Sequence, residues 1–381
     1  MTTADAVVIG GGVIGTSIAY RLAEEKRKVI LIEKGEIGSK TSGSCDKAIF
    51  LQSKKPGFPS ELAKASRDIY ENLEAELGVP FEFKRGGGMI VVQSEKYLPF
   101  IKDFVEKQKQ AGIDIQLLDQ KEATDRQPSL SENIIGSTYS KEDAEVNPLL
   151  LSQAFADAAR RKGVEIRTHT EVVDIAIENG KVVGVQTAKE YIPTEIVVNA
   201  AGPFAPHIDD MAGVNIPIQP RRGAILISEK VTPVVKGNIL CSQYIAAKHL
   251  TEEAPAFGIG LSLGQTDDGN LLIGASREFK GFNQSIESEV LPAIAKHATS
   301  IVPSLGNIRI IRSMVGFRPY TGDGLPIIDE ARDAEGFIIA AGHEGDGIAL
   351  APITGLLVRD LLDRKGVYQS FLEKLKLNRF K

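Results

Sequence analysis

The sequence predicts an α/β protein: a parallel, Rossmann-like nucleotide-binding sheet rebuilt from segments far apart in the chain, beside a second domain with a mainly antiparallel sheet. Three observations predict it. The chain opens on a strand, a glycine turn, a helix and a second strand. A buried strand ending in small residues recurs at 195–202. Between 216 and 275 the pattern turns to short β segments, before the chain closes on a strand, a glycine loop and an apolar helix.

The opening unit carries the most information. Ala6 to Ile9 is wholly apolar, as in a strand buried on both faces. In the GGGVIG run that follows, Gly10 makes the tight turn, Gly12 admits a pyrophosphate to the backbone, and Gly15 lets the next helix pack close. Val13, Ile14, Ile18 and Leu22 recur at helical spacing, and the helix N-terminus brings partial positive charge to the phosphates. Glu33 ends the second strand, 21 residues after Gly12 (33 − 12), where an acid accepts hydrogen bonds from a ribose hydroxyl. The bland alternative is a structural glycine turn. It does not account for the strand, helix and acid arriving in register. The motif alone does not separate FAD from NAD.

Composition narrows the function. The 381 residues are 43% hydrophobic and 25% charged, enough for two domains and a large core. A net charge of −5 argues against a nucleic-acid partner. No apolar run approaches 18 residues, so no transmembrane segment is expected. Only five residues precede the first strand, which leaves no room for a signal peptide and makes the cytoplasm the expected location. Two cysteines, Cys45 and Cys241, build neither an iron–sulfur cluster nor a four-ligand zinc site, and the five histidines lack metal-ligand spacing, so no metal is expected.

In chain order, residues 34–46 form a Gly/Ser-rich loop holding Lys34, Ser42, Ser44 and Cys45. Such a loop lies easily along a cofactor, and a plain connection would look similar. An amphipathic helix spans 60–77. Strands at 81–84 and 89–93 are expected to pair around the triple glycine 86–88, with a helix over 95–111. Pro148 starts a helix to 162. Alternating strands follow at 165–168, 172–177 and 182–187. The run 195–202 ends in Ala201 and Gly202, whose small size admits a flat or extended ligand. A second domain then shows β pattern over 216–227 and 258–275, with a hairpin signal at Asp267-Asp268-Gly269-Asn270, and a helix at 286–302. The return comprises strands at 313–319 and 336–341, the loop Gly342-His343-Glu344-Gly345-Asp346-Gly347, and a helix from Ile348. Its N-terminus is a fit place for developing negative charge.

Read together, IGGGVIG with Glu33, NAAGPFA (199–205), GFRPYTGDGLPIID (316–329) and AAGHEGDGIALAPITG (340–355) resemble the FAD-dependent D-amino acid oxidase superfamily, in particular glycine oxidases, sarcosine oxidases and the flavin subunits of hydrogen cyanide synthase and of D-proline or hydroxyproline dehydrogenases. The resemblance implies FAD as cofactor, an FAD domain built from 1–79, 145–215 and 316–381, and a substrate domain from 80–144 and 216–315. It implies that Val173 meets the adenine, Gly202 the pyrophosphate, and the 342–348 loop the isoalloxazine. Arg318 falls where family members place the arginine that pairs with the substrate carboxylate; the bland alternative is a salt bridge at a domain junction. Tyr244 stands for the pocket hydroxyl. His343 either meets flavin or substrate or is satisfied by backbone, and Cys45 either touches the flavin or is an ordinary loop cysteine. One departure stands out: glycine oxidases carry a second arginine after the Gly-His pair, where this chain has Glu344 and Asp346. The missing base leaves room for a cationic or hydroxylated substrate group, or for an electron-transfer partner.

The implied reaction is oxidation of a small amino or imino acid, with hydride passing from Cα to flavin N5 to leave an imine. Iron–sulfur or other electron-transfer subunits, and an oligomeric assembly, are expected as partners. The rivals are a 2-hydroxy acid dehydrogenase, which needs a base, a nicotinamide dehydrogenase, and a flavin subunit that only relays electrons.

Overall fold

The computed structural model describes residues 3–249 and 256–380. Among them, one sheet has six strands in the spatial order Ile327–Glu330, Phe337–Ala341, Val197–Asn199, Ala6–Ile9, Val29–Ile32 and Glu165–Arg167. All neighbours run parallel except Ile327–Glu330, which is antiparallel to Phe337–Ala341. The opening, the middle and the end of the chain thus share one sheet. Alternate residues of its strands serve two cores. Val8, Leu31, Val198 and Ile338 pack under the helices Val13–Glu24, Pro148–Arg161 and Gly347–Asp363. Val7, Ile9, Ile30 and Ile339 pack under a three-stranded antiparallel sheet, Val172–Glu178, Lys181–Thr187 and Tyr191–Pro193. With both faces covered, the strands read as unbroken apolar runs.

The second sheet has eight strands in the order Ile310–Tyr320, Gln219–Lys230, Asn270–Gly274, Ser262–Gln265, Asn238–Cys241, Gly88–Val92, Gly136–Ser140 and Gln116–Asp119. It is antiparallel apart from the pair Asn238–Cys241 and Gly88–Val92. Helix Val290–Ile301 covers it through Val290, Ile294 and Ile301. Residues 316–320, read from the sequence with the nucleotide-binding segments, run in this sheet as the end of Ile310–Tyr320.

Two local readings change. Residues 81–84 form no strand pairing around the triple glycine; Lys84 makes a single bridge to Glu145. The N–H groups of Phe81 and Phe83 donate instead to Glu74 Oε1, at 2.7 and 3.2 Å, which spends the donors a ladder needs. Residues Glu165–Arg167 leave the alternating strands that follow them and pair parallel to Val29–Ile32.

The opening turn depends on bare backbone. Gly10 has φ +111°, and a Cβ on Gly15 would collide with the Gly10 carbonyl oxygen. Gly15→Ala is expected to destabilise the protein by about 3 kcal/mol in urea unfolding, because the methyl group must displace a strand. Gly322→Ala, where a Cβ meets nothing within 4 Å, is expected to stay within about 0.5 kcal/mol.

Candidate active site

A cavity of about 590 Å³ is lined from both sheets. Ile32, Glu33, Lys34, Glu171 and Val172 line one part; Gly10, Gly12, Val13, Ile14, Ser42, Ala201 and Gly202 another; Ser44, Cys45, Tyr244, Arg318, His343, Glu344, Gly345, Gly347 and Ile348 a third. Four residues singled out from the sequence are not on this wall. Gly15 serves the packing just described. Gly342, at φ +84°, turns the chain against Thr321. Val173 is 46% exposed, and its neighbour Val172 lines the cavity instead. Asp346 is turned into an ion-pair cluster.

At the glycine turn, Gly12 caps the Val13–Glu24 helix without any side-chain hydrogen bond, and the first turn holds no acid. A Cβ on Gly12 would meet only the Ser42 hydroxyl, at 3.2 Å. An open helix N-terminus over bare backbone fits a diphosphate. Ser42 Oγ accepts from Val13 N at 3.0 Å, which folds the 34–46 loop onto the helix end. The Glu33 carboxylate accepts from Gly11 N and Gly35 N, both at 2.6 Å, and each oxygen keeps a lone pair for a hydroxyl. Lys34 reaches Glu171 at 2.6 Å.

The other part is built on two paired strands. Arg221 stands opposite Arg318 and Gly223 opposite Gly316. A Cβ on Gly223 would strike the Arg318 guanidinium, and one on Gly316 would lie 2.7 Å from Ser44 O. The two glycines therefore make a trough in which Arg318 lies across one strand and the 34–46 loop crosses the other. Arg318 Nη1 donates to Ser276 O at 3.2 Å. Burial lowers the Arg318 pKa, with Arg277 adding to the effect and Asp46 and Cys45 opposing it. The Cys45 thiol donates to Ser42 O, and burial together with Asp46 pushes its pKa well up, so it is a neutral thiol beside the arginine. Asp46 Oδ2 accepts from Ser262 Oγ at 2.5 Å.

The two acids of the 342–348 loop do not face an open cationic pocket. Glu344 is 5% exposed and ion-paired to Arg221. Asp346 pairs with Lys54 at 2.5 Å and Lys248 at 3.2 Å. Burial would raise the Asp346 carboxyl, but the two lysines hold it well below the usual range. The room inferred for a cationic substrate group is thus filled by the protein's own cations. Arg221, Lys54 and Lys248 went unread in the sequence because their partners lie 123, 292 and 98 residues away. The alternation of Arg221-x-Gly223 with Gly316-x-Arg318 was the available signal. Part of the stretch 247–257, after Tyr244, falls outside the described residues.

His343, on the cavity wall, is bonded through its ring to a side chain rather than by backbone. Thr354 Oγ1 donates to Leu350 O at 2.8 Å, so His343 Nε2, 3.0 Å away, carries the proton and donates to Thr354. Burial pushes the imidazole down to about 3.

A parallel sheet with an open helix N-terminus on bare glycine, and a cavity with a guanidinium on its wall, define a dinucleotide-binding protein. The chain belongs to the DAO family of FAD-dependent oxidoreductases, whose model matches residues 5–361. It is 28% identical to glycine oxidase of Bacillus licheniformis, over 98% of this chain and 97% of that protein. It is 32% identical to glycerol 3-phosphate dehydrogenase of Caloramator mitchellensis, over 94% of this chain and 73% of that one. The crystal structure of L-proline dehydrogenase from P. horikoshii superposes with a TM-score of 0.90 at 28% identity, covering 100% of this chain and 98% of that one. FAD is therefore the cofactor, which resolves the choice the glycine motif left open. No helix among the described residues is long and apolar enough to cross a membrane.

The neutral His343 fixes the sign of one pH effect. The unfolded chain protonates this histidine near pH 6.5 and the folded protein only near 3. Between those values the unfolded state binds more protons, so this contribution is complete above pH 6.5 and is lost as pH falls. At pH 5 the loss is about 2 kcal/mol. His343→Gln, which keeps a donor for Thr354, is expected to flatten the fall in unfolding free energy between pH 7 and pH 5 by about that amount. Urea melts at the two pH values measure it.

Proposed function

We propose that the protein oxidises an amino or imino acid at Cα, with the substrate carboxylate held by Arg318. The observation that carries the reading is Arg318 itself, a guanidinium in a glycine trough on the cavity wall. Its Nη1 is anchored on Ser276 O, and no described hydrogen bond engages its Nε and Nη2. That edge presents two parallel N–H donors, the geometry a carboxylate takes from arginine. Gly10, Gly12, Val13, Ile14, Ser42, Ala201 and Gly202 would hold the diphosphate, Glu33 a ribose hydroxyl, and Gly347 and Ile348 the ring end. FAD supplies a hydride-accepting ring when bound.

The chain's own residues then have three tasks. Arg318 fixes the substrate carboxylate and with it the direction of the Cα–H bond. The uncapped N-terminus of Gly347–Asp363, with no acid in its first turn, faces the cavity and favours negative charge there. The half-buried neutral Cys45 and the buried neutral His343 put no strong base beside the amine. The amine loses its proton to solvent, and its lone pair assists hydride departure.

The 32%-identical glycerol 3-phosphate dehydrogenase favours a second reading, oxidation of a hydroxyl beside an anionic group. That chemistry needs a base, and Asp46 is the carboxylate on the wall near Arg318.

Anaerobic reduction of the bound flavin by D- and L-proline, sarcosine, glycine, 2-hydroxy acids and glycerol 3-phosphate separates the two readings. Bleaching by an amine is the expected result; bleaching by alcohols alone overturns the first reading. Repeating the reaction in air, with hydrogen peroxide measured against reduction of a dye, tests whether a separate electron acceptor is required. Arg318→Met is expected to raise the Michaelis constant at least about 100-fold while FAD content stays above half, since a charge-assisted bidentate pair is worth about 3 kcal/mol. An unchanged constant removes Arg318 from its role.

A further inference from the structure

The cavity wall near Arg318 also carries an acid that no cation of the protein takes up. Asp46, the last residue of the 34–46 loop, lines the cavity and is half-buried. Its Oδ2 accepts from Ser262 Oγ at 2.5 Å and its Oδ1 from Ala48 N at 3.3 Å, so its described bonds go to neutral groups. It stands near enough to Arg318 to support the guanidinium charge. Yet neither is spent on the other, since Arg318 is anchored on Ser276 O.

The neighbouring acids and the adjacent lysine are engaged elsewhere. Glu344 is ion-paired to Arg221, and Asp346 to Lys54 and Lys248. Lys47, which follows Asp46 in the chain, is turned to Glu145 at 3.1 Å and to Gln265 O at 2.9 Å. The direction of the Asp46 carboxylate is set from two sides. Ala48 N holds it within its own segment, and Ser262, 3% exposed, reaches it from the eight-stranded sheet. An ionised carboxylate offers about four lone-pair sites, and these two bonds leave acceptor capacity on the wall.

An acid and a guanidinium on one wall, each with free capacity and neither neutralising the other, match a ligand with a negative and a positive end. We propose that the substrate binds as a zwitterion, its carboxylate on Arg318 and its ammonium group on Asp46. This rests on the amino acid reading above and deepens it, because Asp46 then selects amines over neutral molecules of the same shape. A carboxylate is a far weaker base than an alkyl amine, so Asp46 orients the nitrogen without keeping its proton. The proton passes to solvent, and the nitrogen is left in place with the lone pair that hydride departure requires.

The test uses ligand pairs of one shape that differ in the positive charge: glycine with propionate, and glycine betaine with 3,3-dimethylbutanoate. The holoenzyme, reduced with dithionite and kept anaerobic, does not turn over, so calorimetric titration reads binding alone. In at least one pair the cationic member is expected to bind the wild type at least about tenfold more tightly, the worth of a charge-assisted contact. Asp46→Asn is expected to remove that preference, and Arg318→Met to weaken both members alike. Ser262→Ala, which keeps the carboxylate and frees it from the sheet, is expected to reduce the preference in part. In turnover with an amine, Asp46→Asn is expected to raise KM at least about tenfold with a smaller change in kcat, and Asp46→Glu to recover part of the loss. Equal binding within both pairs, or a preference kept in full by Asp46→Asn, overturns the proposal while leaving Arg318 and amine oxidation standing. Where Asp46→Asn does not retain FAD, a preference kept in full by Ser262→Ala counts against the proposal equally. If no amine reduces the flavin, the amino acid reading falls, and the ligand pairs alone decide whether Asp46 receives a cation.

Discussion

Two arginines facing each other across paired strands set the terms for one end of the cavity. Arg221 and Arg318 are directly opposite in an antiparallel pair, a position where like charges destabilise. Each is relieved differently. Arg221 takes a buried carboxylate from the 342–348 loop, Glu344, while Arg318 is turned across Gly223 onto a carbonyl. One cation is thereby made structural and the other left with an open donor edge. The glycines at 223 and 316 follow from that division, because a side chain at either would occupy the space the guanidinium or the crossing loop requires.

The same loop is held a second time. Asp346 joins Lys54, from the loop after the Ala48–Ile49 strand, to Lys248, from the Ser242–His249 helix of the other sheet's side. Burial pulls Lys248 down to about 8, so its charge persists at neutral pH through the carboxylate it shares. Breaking one partner of so buried a set strands the remaining charges, which costs far more than a surface pair. The loop that begins the Gly347–Asp363 helix is therefore fixed from three directions, and with it the helix N-terminus facing the cavity. Ser17 Oγ, donating to Ala351 O at 2.7 Å, fixes that helix to the one after the glycine turn. The two helix N-termini on the cavity wall are in this way parts of one rigid frame.

What could be read from the sequence divides along the same line. The nucleotide end was legible because a dinucleotide is met largely by backbone: Gly10, Gly12, Gly15 and Glu33 need only local spacing, and the strands Ala6–Ile9 and Val197–Asn199 are apolar enough to declare themselves. The Arg318 end of the cavity was half legible. Arg318 and Tyr244 were found through resemblance, and both line the cavity. Glu344 and Asp346 read as open acids because charge in a sequence carries no record of its partner. Their cations arrive from other elements through the fold. The missed pairing at 81–84 has a related cause: one glutamate, Glu74, competes for backbone donors in a way periodicity does not report.

This contrast bears on how substrate choice arises on such a scaffold. Backbone recognition of the diphosphate tolerates wide changes of side chain, so chains of about 28% identity retain the fold at a TM-score of 0.90. The acid end is instead written in side chains on adjacent strands, where one residue changes the charge count.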